Sequence, residues 1–287
     1  FSPVFKVWHE PSQHWYVLKH TRDSAPAAQG IQCWLQALQN LPGGPHGVVA
    51  APEFSPNPRF IGEDHWVVYP FLNGPPYTAE PDQVFAAGQL LGRMHGLAET
   101  FEVPHYDWPI QDEASLGDDQ EQLRQLQKTY NLPENPDLRL WVQNHPHLRQ
   151  SLQTASLPMA TGTWDYKANN LIFQEHGPVL IDPDSAGYLP RLLDLALAAL
   201  LFHNEQPTAP PRLFTPTEWS TFLAGYATQI ELTELERKLW SQALQWMFLE
   251  EALWLLLNDH EAWSQAHQGA FLRDLFLLSP QSHLFFL

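Results

Sequence analysis

One stretch of the sequence, from Thr161 to Gly187, constrains the fold more than any other. It contains two short strand-like runs, Asn170–Phe173 and Pro178–Ile181, in a half of the chain where apolar residues otherwise recur at helical spacing. The four residues between the runs end in Gly177, which is typical of the turn of a β-hairpin. The sequence therefore predicts a hairpin within a helical region.

Three polar side chains have fixed places around this hairpin. Asp165 stands five positions before Asn170, and Asp182 directly follows the second strand. Because a hairpin brings the start of its first strand beside the end of its second, we expect the three side chains to lie close together. Carboxylate and amide oxygens are the donors that Mg²⁺ prefers, and phosphoryl transfer needs such a metal together with a carboxylate that orients the attacking hydroxyl. The spacing therefore suits phosphoryl transfer.

The rest of the chain divides into two unlike parts. The N-terminal part reads as a hairpin from Val4 to Lys19, an amphipathic helix from Ala27 to Leu41, and strands near Val48–Ala50 and Trp66–Tyr69. Later segments, beginning with a helix from Pro81 to Thr100, have helical spacing. We expect an α+β protein with a small antiparallel sheet and one helix, followed by a larger, mainly helical region.

Helix-capping patterns support the prediction that the second part is helical. Two helix starts have the pattern of a capping box, Thr215 with Glu218 and Thr233 with Glu236. The acidic stretch from Gln111 to Gln127 is interpreted as a solvated loop and helix face rather than a ligand-binding segment.

Composition excludes several classes of protein. The chain has 287 residues with 44% hydrophobic content, and its longest apolar run, Leu195–Phe202, is shorter than the roughly 18 residues that a membrane span requires. The formal net charge of -17 disfavours nucleic acid and anionic membranes as partners, whereas an acidic cleft would attract a cationic small molecule. Because Cys33 is the sole cysteine, an intramolecular disulfide is impossible and a cytoplasmic location is expected.

Four motifs resemble those of the aminoglycoside phosphotransferase, choline kinase and homoserine kinase families. Residues 165–173 resemble the catalytic loop of these families, written Asp, four residues, Asn, and Ile181–Asp184 resembles their metal-binding Ile-Asp-x-Asp segment. Asp194–Ala196 resembles the Asp-Leu-Ala that opens the next helix, and Leu91–His95 resembles the Leu-Gly-x-Leu-His of an earlier helix. Four motifs in the right order are far more specific than any one of them.

The resemblance implies a bilobal protein-kinase-like fold and a small-molecule kinase. Residues 1–72 would form a nucleotide-covering lobe whose first strand lies upstream of Phe1, and residues 73–287 a helical lobe with the catalytic hairpin and the acceptor site. The co-substrate would be ATP or GTP with Mg²⁺, and the acceptor a hydroxyl group of a small metabolite or an aminoglycoside-like antibiotic. The protein would act as a monomer or a homodimer.

The resemblance also assigns roles to individual residues. It implies Asp165 as the catalytic base, with Lys167 in a secondary role at the transferred phosphate. Asn170 and Asp182 would be the magnesium ligands. Lys19 would bind the phosphates of the nucleotide, and Tyr69 and Phe71 would belong to the hinge beside its base. Taken alone, Lys19 and residues 182–184 each have another interpretation. Lys19 could be a charged residue at the edge of a sheet. Residues 182–184 could be the metal motif of a glycosyltransferase, but that interpretation gives no role to Asp165 and Asn170.

The chain departs from the family pattern at three places, one of which is the first strand with most of the phosphate-covering loop, expected upstream of Phe1. Thr163 and Trp164 stand where the families have His and Gly, and Gln29 or Gln32 lies where a glutamate would pair with the strand lysine. These departures keep a second hypothesis open, a catalytically weak or inactive kinase-fold protein that binds a nucleotide or a partner.

Three polar residues outside the predicted site have structural interpretations. Asp194 is expected to cap a helix or to brace the catalytic loop, rather than to take part in catalysis. His95 and His203 are expected to satisfy hydrogen bonds at helix ends, because no second metal ligand stands at a helical spacing from either.

Overall fold

The structure is a computed structural model that describes residues 3–21, 24–40, 54, 56–62, 64–110 and 113–287. The predicted strand at Val48–Ala50 and the predicted end of the first helix at Leu41 lie outside the described residues. The described part begins with a small antiparallel sheet and one helix, and a larger, mainly helical region follows. The predicted α+β class is therefore confirmed.

The N-terminal sheet has four described strands, ordered β1-β2-β4-β3 with every neighbouring pair antiparallel. They are β1 (Val4–His9), β2 (His14–Thr21), β3 (Arg59–Ile61) and β4 (Asp64–Pro70). The predicted N-terminal hairpin is the β1–β2 pair, and the predicted strand Trp66–Tyr69 lies within β4. Because β2 is flanked on both sides, Lys19, which lies opposite Val67, is not a charge at the edge of the sheet.

Helix α1 (Ala25–Gln39) couples to this sheet. It begins where the Ser24 side chain accepts a hydrogen bond from the backbone amide of Ala27, which satisfies one of the free donors of the first turn. The buried side chains of α1, Trp34 among them, belong to the same hydrophobic core as Tyr69 of β4. Strand β4, which contains Tyr69, therefore shares a packed core with α1.

The second part of the chain is mainly helical. Its elements are α2 (Pro81–His95), α3 (Glu113–Thr129), α4 (Pro136–Thr154), β5 (Met159–Gly162), β6 (Leu171–Gln174), β7 (Gly177–Leu180), β8 (Gly187–Pro190), α5 (Arg191–Leu201), α6 (Pro216–Ala227), α7 (Glu234–Met247), a π-helical turn (Phe248–Ala252), α8 (Leu253–Asn258), α9 (His260–Ser264) and α10 (Ala266–Phe276). Both predicted capping boxes are present at the starts of α6 and α7. Among the described residues, no helix combines the length and the apolar character needed to cross a bilayer.

The predicted hairpin is confirmed as the β6–β7 pair, with each strand shifted by one residue from the predicted limits. Its turn has two residues, Glu175 and His176, and Gly177 adopts the positive φ of 124° that favours glycine. The predicted extension of α2 to Thr100 is wrong, because the helix ends before Gly96, whose low helix propensity favours termination there.

The sequence patterns did not indicate β5 and β8. These four-residue strands pair antiparallel, Gly162 opposite Gly187, and so join the two ends of the segment that contains the hairpin. Strands of this length show too little alternation to be distinguished from loops. Their pairing holds the segment that contains the hairpin at both ends.

Two glycines allow α2 and α6 to cross at close range. A Cβ atom added at Gly88 would overlap the backbone carbonyl oxygen of Phe222, and one added at Gly225 would overlap that of Phe85. Each helix therefore presents a glycine to the backbone of the other. The rigid backbone offers no side-chain rotation that would make room for a larger residue.

We expect Gly88→Ala to lower the free energy of unfolding by about 2 kcal/mol, because the added methyl group forces the two backbones apart. Gly117→Ala is the matched control, since Gly117 lies exposed on α3 with no atom within 4 Å of an added Cβ. The control is expected to be neutral or to stabilise by about 0.5–1 kcal/mol, because alanine loses less backbone entropy on folding. Urea unfolding of both variants measures the difference, and equal stabilities would contradict the close crossing.

Candidate active site

The hairpin brings the predicted metal ligands together. The backbone amide of Ile181 donates to the carbonyl oxygen of Asn170 at 3.0 Å, so Asn170 before β6 lies beside the segment that follows β7 and contains Asp182. The Asn170 Nδ2 atom donates to the carbonyl oxygen and to Oδ2 of Asp165, both at 2.9 Å. Asn170 therefore connects Asp165 to the end of the hairpin.

A cavity of about 350 Å³ lies between the sheet and the hairpin. Five of the seven predicted site residues line it: Lys19, Tyr69, Phe71, Asn170 and Asp182. Its remaining lining is largely aliphatic, contributed by Val4, Val17, Leu72, Ile172 and Ile181. The cavity thus combines an apolar portion with a portion that carries charge and amide groups.

Lys19 is held by two carboxylates. Its Nζ atom lies 2.5 Å from Oδ1 of Asp182 and 2.9 Å from Oδ2 of Asp184, and its side chain is only 10% exposed. Burial by itself would lower the pKa of Lys19, but the two carboxylates outweigh it and raise the pKa above the usual value. The ammonium group therefore remains charged inside the cavity.

Helix α1 does not supply the acid that the family pattern places there. The buried Gln32 instead donates through Nε2 to the hydroxyl oxygen of Tyr69 at 3.1 Å, and Gln29 contacts Cys33 within the helix. The carboxylates that hold Lys19 come from the segment after the hairpin. The helix is thus tied to Tyr69 of β4 rather than to Lys19.

The two remaining predicted residues lie next to Asn170. Lys167 Nζ is 3.1 Å from Oδ2 of Asp165 and 2.7 Å from Oε2 of Glu205. Burial raises the pKa of Asp165 above its usual value, although Lys167 and the Asn170 hydrogen bond act in the opposite direction. A raised pKa suits a carboxylate that accepts a proton from a substrate.

Trp164 adopts a backbone conformation that favours glycine. Its φ of 55° lies in the left-handed region, where a bulky side chain is strained. The indole Nε1 donates to Oε1 of Glu251 at 3.0 Å, and the ring packs against Tyr106 with 4.4 Å between ring centroids. These contacts hold the ring immediately beside Asp165.

Asp194 braces the loop that precedes Asp165. It is fully buried, and its Oδ2 accepts from the backbone amide of Thr163 at 3.2 Å and lies 3.0 Å from Nε2 of His95. The alternative that it caps a helix is wrong, because Pro190 precedes the first turn of α5 and no side chain caps that helix. Thr163 is thus fixed through its backbone despite lacking the imidazole of the family pattern.

His203 also meets its predicted role. Its Nδ1 donates to the carbonyl oxygen of Arg212 at 2.8 Å, and its Nε2 lies 3.0 Å from the hydroxyl oxygen of Tyr77. Since the carbonyl can only accept, the Nδ1 atom carries the proton and Nε2 accepts from the tyrosine. His203 and His95 therefore satisfy hydrogen bonds, as the sequence predicts.

The oxygen donors fit a hard divalent cation that is also bound by a ligand. The Nδ2 atom of Asn170 donates to Asp165, so the Oδ1 atom of Asn170 points away from Asp165. The side chain of Asp182 is 43% exposed. Among the described residues, no group of three or more His, Cys, Asp or Glu side chains could hold a metal ion. A Mg²⁺ ion at this place would need oxygens from a ligand such as a phosphate, as its preference for water and phosphate coordination allows.

Comparison with known proteins decides the family. A family model described as the phosphotransferase enzyme family, APH, matches residues 1–240. The chain belongs to this phosphotransferase family. The predictions of a phosphotransferase and of the aminoglycoside phosphotransferase family are therefore confirmed. No curated protein sequence matches the chain significantly.

Solved structures share the fold of this phosphotransferase. Amicoumacin kinase hAmiN, in complex with AMP-PNP, Ca²⁺ and Ami, is 21% identical with a TM-score of 0.64, and the match covers 96% of this chain and 84% of the other. Spectinomycin phosphotransferase APH(9)-Ia, in complex with ADP and spectinomycin, is 13% identical with a TM-score of 0.62, covering 99% and 87%. A choline/ethanolamine kinase family protein from Mesorhizobium loti is 14% identical with a TM-score of 0.56, covering 99% and 91%. The predicted kinase-like fold is confirmed.

Three residues that contact Lys167 or Trp164 in this phosphotransferase were not indicated by the sequence patterns. Glu205 follows α5 with a positive φ of 59°, Glu251 lies in the π-helical turn, and Tyr106 lies in an irregular segment. None belongs to a motif. The π-helical turn in particular falls within a continuous helical pattern, and π-helical turns are often found at functional sites.

The buried His203 predicts a loss of stability in acid. Burial lowers its pKa to about 4 from a usual value of 6.5, so the unfolded chain binds the proton first as the pH falls. The free energy of unfolding should therefore fall by roughly 3 kcal/mol between pH 6.5 and pH 4 on account of this group. Urea unfolding at pH 7.5 and pH 4.5 should show a smaller acid loss for His203→Gln than for the wild type, and an identical loss would refute the assignment.

Proposed function

We propose that this phosphotransferase transfers the terminal phosphate of ATP, or of GTP, with Mg²⁺ to a hydroxyl group of a small metabolite or an aminoglycoside-like antibiotic. The proposal depends on one observation: Lys19, Asn170 and Asp182 line one cavity, and Asp165 is hydrogen-bonded to Asn170. Phosphoryl transfer needs a cation on the phosphates, oxygen donors for a metal, and a carboxylate for the attacking hydroxyl. These four side chains supply all three.

The nucleotide would occupy the cavity between the lobes. Residues 1–72 form the covering lobe in this proposal, and residues 73–287 carry the catalytic residues and the acceptor site. The base would lie between aliphatic walls that include Val17 and Ile181, next to the hinge at Tyr69 and Phe71. Lys19 at the other end would bind the phosphates, since its ammonium group is charged and lies within the cavity lining.

Asp165 is the proposed catalytic base, and its geometry distinguishes its two oxygens. Its Oδ2 accepts from Asn170 and pairs with Lys167, so Oδ1 is the oxygen left to accept the proton of the acceptor hydroxyl. Burial raises the pKa of Asp165, which strengthens it as a base. Lys167 would remain near the transferred phosphate and offset its charge.

Asn170 and Asp182 are the proposed ligands of Mg²⁺, through Oδ1 of the amide and the exposed carboxylate. When bound, the ion would neutralise negative charge on the phosphate oxygens. The names of the similar structures support a nucleotide co-substrate and a small acceptor: they include spectinomycin phosphotransferase with ADP and spectinomycin, and an aminopropanol kinase.

A second candidate is a nucleotide-binding protein without turnover, or with weak turnover. Two observations favour it: the strained Trp164 before the base, and the pairing of Lys19 with the proposed metal ligand Asp182 rather than with an acid of α1. Magnesium-dependent nucleotide binding without product over a broad acceptor panel would favour this candidate over the kinase.

We expect Asp165→Asn to lower kcat by about 10³-fold while nucleotide affinity is unchanged, because the substitution removes only proton acceptance. Asp182→Asn should instead weaken magnesium-dependent nucleotide binding. The assay is nucleotide consumption across aminoglycosides, amino alcohols, homoserine and sugars, combined with calorimetric titration of a non-hydrolysable ATP analogue. Asp64→Asn is the matched control, because Asp64 is 65% exposed and pairs with His20 on the outer sheet. Full activity of the Asp165 variant would dispose of its role as the base.

A further inference from the structure

A second cavity, of about 300 Å³, lies beside the catalytic loop. Trp164, Tyr106, Asp107 and Asp184 are among its lining residues. Its lining adjoins the proposed active site in the sequence, because Trp164 directly precedes Asp165 and Asp184 is two residues after Asp182, which lines the first cavity. In space, Lys19 contacts both Asp182 and Asp184. A molecule in this second cavity would therefore lie next to the proposed base and the phosphate-binding end.

The wall made by Trp164 is built rather than incidental. The ring is fixed at its nitrogen by Glu251 and along its face by Tyr106, whose hydroxyl oxygen in turn accepts a hydrogen bond from Trp246 Nε1 at 2.8 Å. Strained backbone at a position that favours glycine persists only where the surroundings hold it, and such strain concentrates at binding and catalytic sites. Trp164 occupies space that a glycine would leave open.

The lining has the chemistry that recognises an ammonium group. Two carboxylates, Asp107 and Asp184, face it together with the rings of Trp164 and Tyr106, and neither lysine nor arginine is among its lining residues. Lys19 neutralises Asp184, but Asp107 has no ion pair among the residues that the structure describes. An exposed carboxylate beside aromatic faces attracts a protonated amine through charge and cation–π contact.

We propose that this second cavity binds the protonated amine of the acceptor, with Asp107 as its counter-ion, and that the Trp164 ring restricts the acceptor to compact amino alcohols. The inference rests on the proposed kinase function and specifies its acceptor. At about 300 Å³ the cavity lies at the small end of ligand sites, and the Trp164 ring that forms part of its wall is held by Glu251 and Tyr106. Trp164 and Asp107 are thus specificity-determining residues.

The first test measures binding without turnover. Saturation-transfer NMR compares 1-amino-2-propanol with 1,2-propanediol, a pair that differs by the amine, and adds kanamycin as a bulky amine. The wild type should bind the amino alcohol more tightly than the diol, and Asp107→Asn should weaken the amino alcohol about tenfold and leave the diol unchanged. Absence of amino alcohol binding, or binding that is indifferent to Asp107→Asn, overturns the proposal.

The second test concerns the ring. Trp164→Gly should weaken the amino alcohol about tenfold and improve binding of kanamycin, whereas Trp164→Phe should keep most of the preference because a ring remains. Trp254→Ala is the control, since Trp254 is 62% exposed and lies outside the lining of the cavity. An unchanged selectivity in Trp164→Gly contradicts the role of the ring.

Nucleotide consumption with the same acceptors separates this inference from the proposed function. Amine binding that depends on Asp107 but gives no nucleotide consumption with any acceptor would contradict the kinase function and leave the binding inference standing. Nucleotide consumption whose acceptor KM is unaffected by Asp107→Asn and by Trp164→Gly would support the kinase function and overturn the inference. With both proposals correct, Asp107→Asn raises the KM for the amino alcohol about tenfold and changes the KM for ATP little.

Discussion

The hydrogen bonds of Asn170 are the interaction on which the rest of the site depends. Its carbonyl oxygen closes the hairpin by accepting from Ile181, while its side chain holds both the carbonyl oxygen and the carboxylate of Asp165. One residue thereby sets the distance between a strand pair and an irregular loop. Because Asn170 is itself nearly buried, exchanging these partners for water would cost free energy. The position of the proposed base therefore follows from the pairing of two short strands.

This arrangement needs support from the helical core, since four-residue strands are weak on their own. Asp194 supplies it by joining Thr163 of the loop to His95 at the end of α2, and the close crossing of α2 with α6 fixes that helix end in turn. A buried carboxylate that lost these partners would be left without compensation, at a cost of several kcal/mol. The loop that precedes Asp165 is therefore tied through Asp194 to the helices behind it.

The sequence predicted the parts of the protein that local rules govern. Hydrophobic periodicity and turn residues located the hairpin, and the spacing of Asp165, Asn170 and Asp182 predicted their proximity, because strand pairing converts sequence spacing directly into geometry. Contacts between distant segments were not predictable in this way. The pairing of Lys19 with Asp184 and the π-helical turn that presents Glu251 depend on how separate elements pack, and no periodicity records that.

The charges around Lys19 depend both on the local hairpin and on contacts between distant segments. Its single positive charge faces the carboxylates of Asp182 and Asp184, so the three side chains together carry one net negative charge in a partly buried place. Such a group repels a bare triphosphate but attracts one that arrives with a divalent cation, which reverses the sign of the local charge. Because α1 offers no acid to Lys19, both of its observed carboxylate partners, Asp182 and Asp184, come from the segment in which the proposed metal ligand lies. The absence of an acid on α1 therefore makes nucleotide binding depend more strongly on the cation. Nucleotide and metal are therefore expected to bind together rather than in sequence.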